Sequence, residues 1–183
     1  MIMEYTLIRS ERKKLTVSVK ADGRIAVRAP HMLGTEQIEA FLSANSELIM
    51  RHAEEAKRKN AGVKRLTEQE LSRLFEKAEK VIPEKAAHFA EKIGVTYSRI
   101  TIRAQRTRWG SCSVNGNLSF NALLMLMPDE VIDSVVIHEL CHRKEMNHQA
   151  GFYELLYSVC PDYDKCRAWL KEHGGAILRR LGG

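Results

Sequence analysis

Two histidines and a glutamate in the last third of the chain have the types and the spacing of a catalytic metal site. The run His138-Glu139-Leu140-Cys141-His142 has the pattern HExxH. Residues four apart lie on one face of a helix, so the two imidazoles can bind one Zn²⁺. Glu139 then projects beside the metal, where its carboxylate can take a proton from zinc-bound water. The pattern predicts a zinc-dependent hydrolase, most simply a peptidase, with Glu139 as its catalytic residue.

A catalytic zinc needs a third protein ligand and leaves one coordination position open for water. His148 follows His142 by six residues, beyond the expected end of the helix, and a turn there would bring it back to the metal. Glu154 and Asp162 are alternative ligands. The competing interpretation is a buried histidine pair with a purely structural role and an incidental glutamate. We expect His138, His142 and His148 to be the three ligands.

The motif requires a buried helix, and the residues before it predict one. Apolar side chains cover nearly all sides of this helix, which indicates burial; they are Val131, Ile132, Val135, Val136 and Ile137. Pro128-Asp129-Glu130 marks its start, because proline suits the first turn and acids there interact favourably with the helix dipole. The helix should run to about Glu145. Two shorter helices should follow, near 149–158 and 162–173.

Other elements are predicted upstream of the motif. Thr67 and Glu70 form a capping box for a long helix that ends near Gly94 and has a kink or a break at Pro83. Alternating apolar residues predict short strands near 100–104 and 118–120.

The N-terminal part of the chain has a different pattern. Residues 3–28 alternate as strands, with a hairpin turn at Ala21-Asp22-Gly23-Arg24, because Asp-Gly tolerates the positive φ of a tight turn. A helix should extend from about 35 to 49. We therefore divide the chain into an N-terminal appendage of a β-hairpin and a helix (1–66) and a catalytic domain (67–183).

Composition excludes several classes of protein. The chain has 183 residues, of which 44% are apolar and 28% are charged, as in ordinary soluble globular proteins. Its net charge of +6 permits an anionic partner without requiring one. The first residues form no apolar signal segment, and the longest uncharged run, from Trp109 to Pro128, is too polar to span a bilayer. The four cysteines contain no CxxC pair, so we expect free thiols, no membrane contact and a cytoplasmic location.

A basic stretch lies before the motif helix. No acidic residue occurs between Glu91 and Asp129, whereas five basic residues do: Lys92, Arg99, Arg103, Arg106 and Arg108. With Trp109 they could form a nucleic-acid surface, so a nucleic-acid-associated protein with a mainly structural zinc is the alternative function. The simpler interpretation is a solvated strand face with one core tryptophan. A third is a groove in which an extended peptide pairs with a strand.

Five residues are candidates for contacts with a substrate: Arg106, Arg108, Trp109, Asn121 and Tyr153. The two arginines and Tyr153 are also candidates for stabilising an oxyanion. Asn121 is either a hydrogen-bonding group that orients a metal ligand or a residue that ends a strand. Cys112 and Cys141 are expected to be small packing residues rather than nucleophiles.

The same segments resemble the YgjP-like zinc metallopeptidases, which are relatives of the WLM and SprT-type families. The resemblance lies in the runs RWGSCS (108–113), GNLSFN (116–121) and VIDSVVIHELCH (131–142), in Asn147-His148 and Phe152, and in Pro161-Asp162-Tyr163 with Trp169-Leu170. It implies a zincin-like α+β domain in which the HExxH helix packs beside a small antiparallel sheet. It also implies that His138, His142 and His148 bind zinc, that Glu139 is the catalyst, and that peptides or proteins are the substrates. The strands between residues 109 and 121 should then lie close to the active-site helix.

Overall fold

Two separate hydrophobic cores organise the chain in the computed structural model, which describes residues 3–181. The buried residues of the first core lie between Ile25 and Ile49, and those of the second between Ala78 and Cys166. They belong to two compact units, of which the first ends at Val63 and the second begins at Lys64. No helix within residues 3–181 is long and apolar enough to cross a membrane.

The first unit is a three-stranded mixed sheet followed by two helices. Its elements are β1 (Tyr5–Ser10), β2 (Thr16–Val19), β3 (Ile25–Pro30), α1 (Thr35–Ala44) and α2 (Ser46–Asn60). β3 is the central strand, parallel to β1 and antiparallel to β2. The predicted hairpin is confirmed between β2 and β3, where Gly23 has the positive φ of 81° that the turn requires.

The single helix predicted over 35–49 is wrong, because the chain breaks at Asn45. The Asn45 side-chain amide donates to the Phe41 carbonyl at 2.8 Å, and this bond ends α1. The apolar spacing continues across the break, so periodicity could not reveal it.

The second unit packs four helices against another mixed sheet. Its elements are α3 (Glu68–Ile93), β4 (Arg99–Arg103), β5 (Gly110–Cys112), β6 (Asn117–Asn121), a 3-10 helix (Ala122–Leu126), α4 (Asp129–Cys141), α5 (Ala150–Val159) and α6 (Tyr163–Arg179). The predicted α+β class is confirmed. α3 continues through Pro83, because Ile82 and Ala86 on either side of the proline are fully buried in the core and hold the helix together.

The sheet of the second unit has the strand order β4-β6-β5. β5 runs antiparallel to β6 as predicted, but β4 runs parallel to it, so the expectation of a purely antiparallel sheet is corrected to a mixed one. The cause is the connection through residues 104–109. It leaves β4 at Arg103, which pairs with Asn121, and enters β5 at Gly110, which pairs with Phe120 on the opposite edge of β6. We call residues 104–109 the β4–β5 arch.

α4 is the central helix of the second unit. It is apolar on nearly every side, as predicted, and most of its residues are buried. Lys85 of α3 fixes its first two turns, because the ammonium group lies 2.8 Å from Asp129 and 2.6 Å from Asp133. The helix ends at Cys141 rather than near residue 145, since two of the amides that follow donate to the Cys141 carbonyl and turn the chain.

Candidate metal centre

Three imidazoles converge at the end of α4. One ring nitrogen from each of His138, His142 and His148 lies within 4.8 Å of the others. The Nε2 atoms of His138 and His148 are 3.0 Å apart. The alternative ligands Glu154 and Asp162 are exposed and do not belong to the cluster. Within residues 3–181, these three histidines are the group placed to hold a metal ion.

α4 and the loop that follows it place the three rings. His142 directly follows the last residue of α4 and keeps helical backbone angles (φ −63°, ψ −12°), so it remains on the same face as His138. His148 lies in the loop before α5 begins at Ala150. Phe152 is fully buried on α5 and packs against all three imidazoles, with ring centroids 4.7 to 5.0 Å away. The cluster therefore rests on an apolar floor that belongs to the core.

Hydrogen bonds orient two of the three rings. His142 donates its Nδ1–H to the carbonyl oxygen of Glu145 at 3.0 Å. His138 Nδ1 lies 2.9 Å from the hydroxyl oxygen of Tyr163, the first residue of α6. Both rings therefore have Nε2 free for a metal. The sequence analysis missed Tyr163, because this contact spans 25 positions and depends on how α6 packs against α4.

The donor set suits Zn²⁺. Three imidazoles with one coordination position left open are a ligand set of catalytic zinc. Tetrahedral coordination with Zn–N distances of about 2.0–2.1 Å places two ligand nitrogens about 3.3 Å apart. The 3.0 Å between the Nε2 atoms of His138 and His148 is close to that value. The residues present therefore fit a zinc ion.

Burial favours the neutral forms of the site's titratable groups. It lowers the pKa of His138 to about 4, with smaller contributions from His142 and His148. It also lowers the pKa of His142. It raises the pKa of Glu139 to about 7, against the opposing effect of the Arg108 charge. Neutral imidazole is the form that binds metal, so at neutral pH neither His138 nor His142 has to lose a proton first.

β5 approaches Glu139 so closely that only glycine fits. A Cβ atom at Gly110 would lie 2.6 Å from both Cγ and Oε1 of Glu139, well inside van der Waals contact. The strand therefore closes directly on the carboxylate, which is only 7% exposed. This contact confirms that the segment from 109 to 121 lies close to the HExxH helix.

Asn121 holds the β4–β5 arch and makes no hydrogen bond to the histidines. Its buried side-chain amide donates to the carbonyls of Gln105 at 2.6 Å and Arg108 at 3.0 Å, and its oxygen accepts from the Leu123 amide at 3.1 Å. Of the two roles left open for it, the contacts are those of a residue that ends a strand. Through the arch, these bonds also fix the point at which β5 meets Glu139.

The remaining candidates surround the site in different ways. Trp109 is half-buried and packs on α6, where a Cβ atom at Gly174 would lie 3.2 Å from the indole. Tyr153 lies beside the cluster, with its ring centroid 6.4 Å from that of His148. Arg106 and Arg108 are exposed on the arch. Trp109 thus has the contacts of a packing residue, whereas the two arginines and Tyr153 remain accessible.

The cysteines do not take part in the cluster. All four are free, as expected. Burial raises the pKa of Cys141 to about 12, so its thiol stays protonated at neutral pH and is not a nucleophile.

Comparison with known proteins gives a family match over most of the second unit. A family model described as YgjP-like, metallopeptidase domain, matches residues 64–173, which is more than half of the chain. Two solved structures match about half of the chain. The metallopeptidase zymogen of Pyrococcus abyssi abylysin is 17% identical with a TM-score of 0.46, and that of Methanocaldococcus jannaschii jannalysin is 20% identical with a TM-score of 0.46. The matches cover 50% and 51% of this chain and 94% and 96% of the other two. No curated protein matches the chain.

Proposed function

The chain belongs to the YgjP-like metallopeptidase family, and from this premise we propose that it hydrolyses peptide bonds at a zinc ion held by His138, His142 and His148. The observation that carries the proposal is the convergence of three ligand nitrogens within 4.8 Å at the end of a buried helix. Glu139 is the next residue along that helix after His138, and its carboxylate is enclosed by β5. The catalytic domain of the proposal is residues 67–183, and residues 1–66 are its appendage.

In the proposed mechanism the chain supplies ligands, a base and an enclosed site. Bound zinc supplies a Lewis acid, which polarises a carbonyl and lowers the pKa of water. Glu139 accepts the proton of the attacking water at its carboxylate and then passes it to the leaving amine. Enclosure by Gly110 keeps that carboxylate in one place while it accepts and returns the proton. Arg106, Arg108 and Tyr153 are the candidates for contacts with the substrate.

The proposal places the peptide along β5. This strand lies at the edge of the sheet and begins at Gly110, against Glu139. An extended peptide that pairs with a sheet edge gains main-chain hydrogen bonds and exposes alternate side chains to the protein. A peptide on β5 would therefore have its backbone held beside the catalytic carboxylate.

Replacement of the proposed catalytic glutamate by the uncharged, nearly isosteric glutamine tests the proposal. Glu139→Gln should retain one zinc per chain and lose peptide hydrolysis by about 100-fold or more, because the base is gone while the ligands remain. Cleavage of a denatured proteome, followed by mass spectrometry, measures the activity without a known substrate. Glu154→Gln is the matched control, since that side chain is exposed and lies outside the cluster. Wild-type activity in Glu139→Gln would disprove the role of Glu139.

The alternative is a nucleic-acid-associated protein with a mainly structural zinc. Structural zinc sites are usually closed by four protein ligands, whereas no fourth His, Cys, Asp or Glu joins the cluster within residues 3–181. Arg103, Arg106 and Arg108 are exposed and remain available to phosphates. The alternative requires salt-sensitive binding to DNA or RNA that falls when these three are neutralised. Absence of binding at low salt would eliminate it.

A further inference from the structure

The rings of the three histidines are oriented by different kinds of contact. The ring of His142 is fixed by a backbone carbonyl, that of Glu145, which side-chain substitution cannot remove. The ring of His138 is fixed by a side chain, the hydroxyl of Tyr163 at 2.9 Å. For His148, the one side-chain polar contact among the described residues joins its Nε2 atom to that of His138. The orientation of His138 is therefore the one that a single residue elsewhere in the chain can set.

A backbone hydrogen bond and two ring contacts hold Tyr163 in position. It is the first residue of α6, and its amide donates to the Cys160 carbonyl at 3.1 Å. Its ring lies nearly parallel to the His138 imidazole, at an interplanar angle of 17° with centroids 5.9 Å apart. The Tyr157 ring meets it edge-on at 6.2 Å, and the Tyr157 hydroxyl donates to Asp164 at 3.0 Å, which ties α5 to α6. The hydroxyl of Tyr163 thus has a defined position.

The direction of the hydrogen bond follows from the chemistry of a ligand. A neutral imidazole carries one proton, on one of its two nitrogens. If Nε2 of His138 binds the metal, the proton must be on Nδ1, and the Tyr163 hydroxyl oxygen accepts it. A partner that takes the Nδ1 proton selects the tautomer in which Nε2 has a free lone pair, and it also fixes the plane of the ring.

We propose that Tyr163 is a positioning residue of the metal site, whose hydroxyl accepts the Nδ1–H of His138 and holds Nε2 of that ring on the metal. This inference rests on the proposed function only in taking His138 as a ligand. It adds a residue of α6 to a site otherwise built from α4 and the loop before α5.

Removal of the hydroxyl alone tests the inference. Tyr163→Phe should bind zinc about 10- to 100-fold more weakly than wild type, measured by competition with a chelator of known affinity. With Co²⁺ in place of zinc, its visible absorption spectrum should differ from that of wild type, because one ligand is no longer held in orientation. Tyr97→Phe is the matched control. It removes the hydroxyl of another half-buried tyrosine that packs on the same core but lies outside the histidine cluster, and it should leave zinc affinity and the Co²⁺ spectrum unchanged.

A measurement on the unaltered protein keeps the test independent of whether Tyr163→Phe folds. Histidine ¹⁵N–¹H NMR of the zinc-loaded wild type should show His138 protonated at Nδ1, with slow exchange of that proton. Protonation at Nε2 would overturn the inference, as would a Tyr163→Phe protein with wild-type zinc affinity and Co²⁺ spectrum. These failures differ from failure of the proposed function, in which wild type would bind no zinc or Glu139→Gln would remain active.

Discussion

At the scale of the residue, burial affects His138 and Glu139 in opposite directions. It lowers the pKa of the imidazole to about 4 and raises that of the carboxyl to about 7. For the imidazole the result is the metal-binding form. For the carboxylate it is a cost, because in the described part of the chain no hydrogen bond or ion pair replaces the water that it loses. The metal-free fold is therefore destabilised by the residue assigned to catalysis, as is common at functional sites.

That cost gives a prediction for the metal-free protein. Glu139→Gln should be more stable than wild type at pH 8 and equally stable near pH 4, because the amide cannot ionise. A protein with a carboxyl whose pKa is raised on folding loses stability as the pH rises between the two pKa values. For Glu139 these are 4.5 in the unfolded chain and about 7 in the folded protein. The full difference above pH 7 is about 3 kcal/mol. Urea unfolding in the presence of a chelator, at several pH values, measures it.

The control for this prediction is Glu154→Gln, which removes the same charge from an exposed position. It should change stability by less than about 0.5 kcal/mol at either pH. Equal stability of Glu139→Gln and wild type at pH 8 would show that the carboxylate is solvated in the folded protein, contrary to its enclosure by β5.

At the scale of the element, the close contact between β5 and α4 depends on one missing side chain. Asn121 fixes the β4–β5 arch through two carbonyls, and the arch delivers Gly110 to the Glu139 carboxylate. Neither element can shift towards the other, since the strand is already in contact. The position of the Glu139 carboxylate is thus set by a strand as well as by its own helix.

Gly110→Ala should separate catalysis from metal binding. The added Cβ would lie 2.6 Å from Glu139, so the carboxylate or the strand must move, and the three atoms nearest to that Cβ belong to Glu139 rather than to a histidine. Displacement of a reacting group by about 1 Å can lower the rate on the order of 100-fold. We expect kcat/KM to fall by that order and zinc content to remain one per chain.

Gly175→Ala is the control for Gly110→Ala. Gly175 is exposed on α6, and a Cβ there meets only the flexible end of Arg179 at 3.2 Å. Activity should be unchanged and stability slightly increased, because alanine favours a helix over glycine. Unchanged activity in Gly110→Ala would mean that the carboxylate can move without loss, and that β5 does not position it.

Sequence patterns predicted which helices and strands form better than they predicted which elements lie next to one another. HExxH brings His138 and His142 together through helical spacing alone, and the apolar residues before the motif predict a buried helix; both depend on local periodicity. The parallel pairing of β4 with β6 does not, because alternation shows which face is buried and not which strand lies alongside. The contact of Tyr163 with His138 and that of Gly110 with Glu139 arise only from tertiary packing. Neither leaves a pattern in a single sequence.

At the scale of the whole molecule, the two hydrophobic cores share no residue. Every residue of the candidate site, and every hydrogen-bond partner described for it, comes after Lys64. Two bonds link the start of the second unit to the end of α6: the Leu66 amide donates to the Arg180 carbonyl at 2.9 Å, and the Arg180 guanidinium donates to the Lys64 carbonyl at 3.2 Å. A fragment of the second unit therefore keeps both bonds only if it includes residues 64–66.

A fragment that begins at Lys64 should fold cooperatively and bind one zinc with the affinity of the full chain. A fragment that begins at Thr67 should melt at a lower temperature, because it lacks both bonds to Arg180, each of which contributes about 1 kcal/mol. Thermal unfolding and chelator competition measure the two effects. Aggregation of the Lys64 fragment, or failure to bind zinc, would show that the second unit depends on residues 1–63.

The chain has a net charge of +6, and two of its positive charges lie near the candidate site. Arg108 on the arch acts on Glu139, and Arg167 acts on His138 and Tyr163. Arg167 follows Tyr163 by four residues on α6, so both lie on one helix face. Both arginines are exposed, and neither is in an ion pair among the described residues. Two unpaired positive charges beside the site should attract acidic peptides.

Replacement of both Arg108 and Arg167 by glutamine should therefore lower kcat/KM by about tenfold for a peptide with acidic residues beside the cleaved bond. The loss should appear mainly in KM, because about 1.4 kcal/mol of binding free energy is lost. A neutral peptide of the same length should lose less, because only the effect of Arg108 on Glu139 acts on its cleavage. Added salt should weaken cleavage of the acidic peptide by wild type and have less effect on the double variant, since screening acts on the same two charges. Arg73→Gln, on the exposed face of α3, is the control and should alter neither substrate. Equal losses of kcat/KM for both peptides would mean that the arginines support the site itself. Equal salt dependence of the wild type and the double variant would mean that other charges attract the substrate.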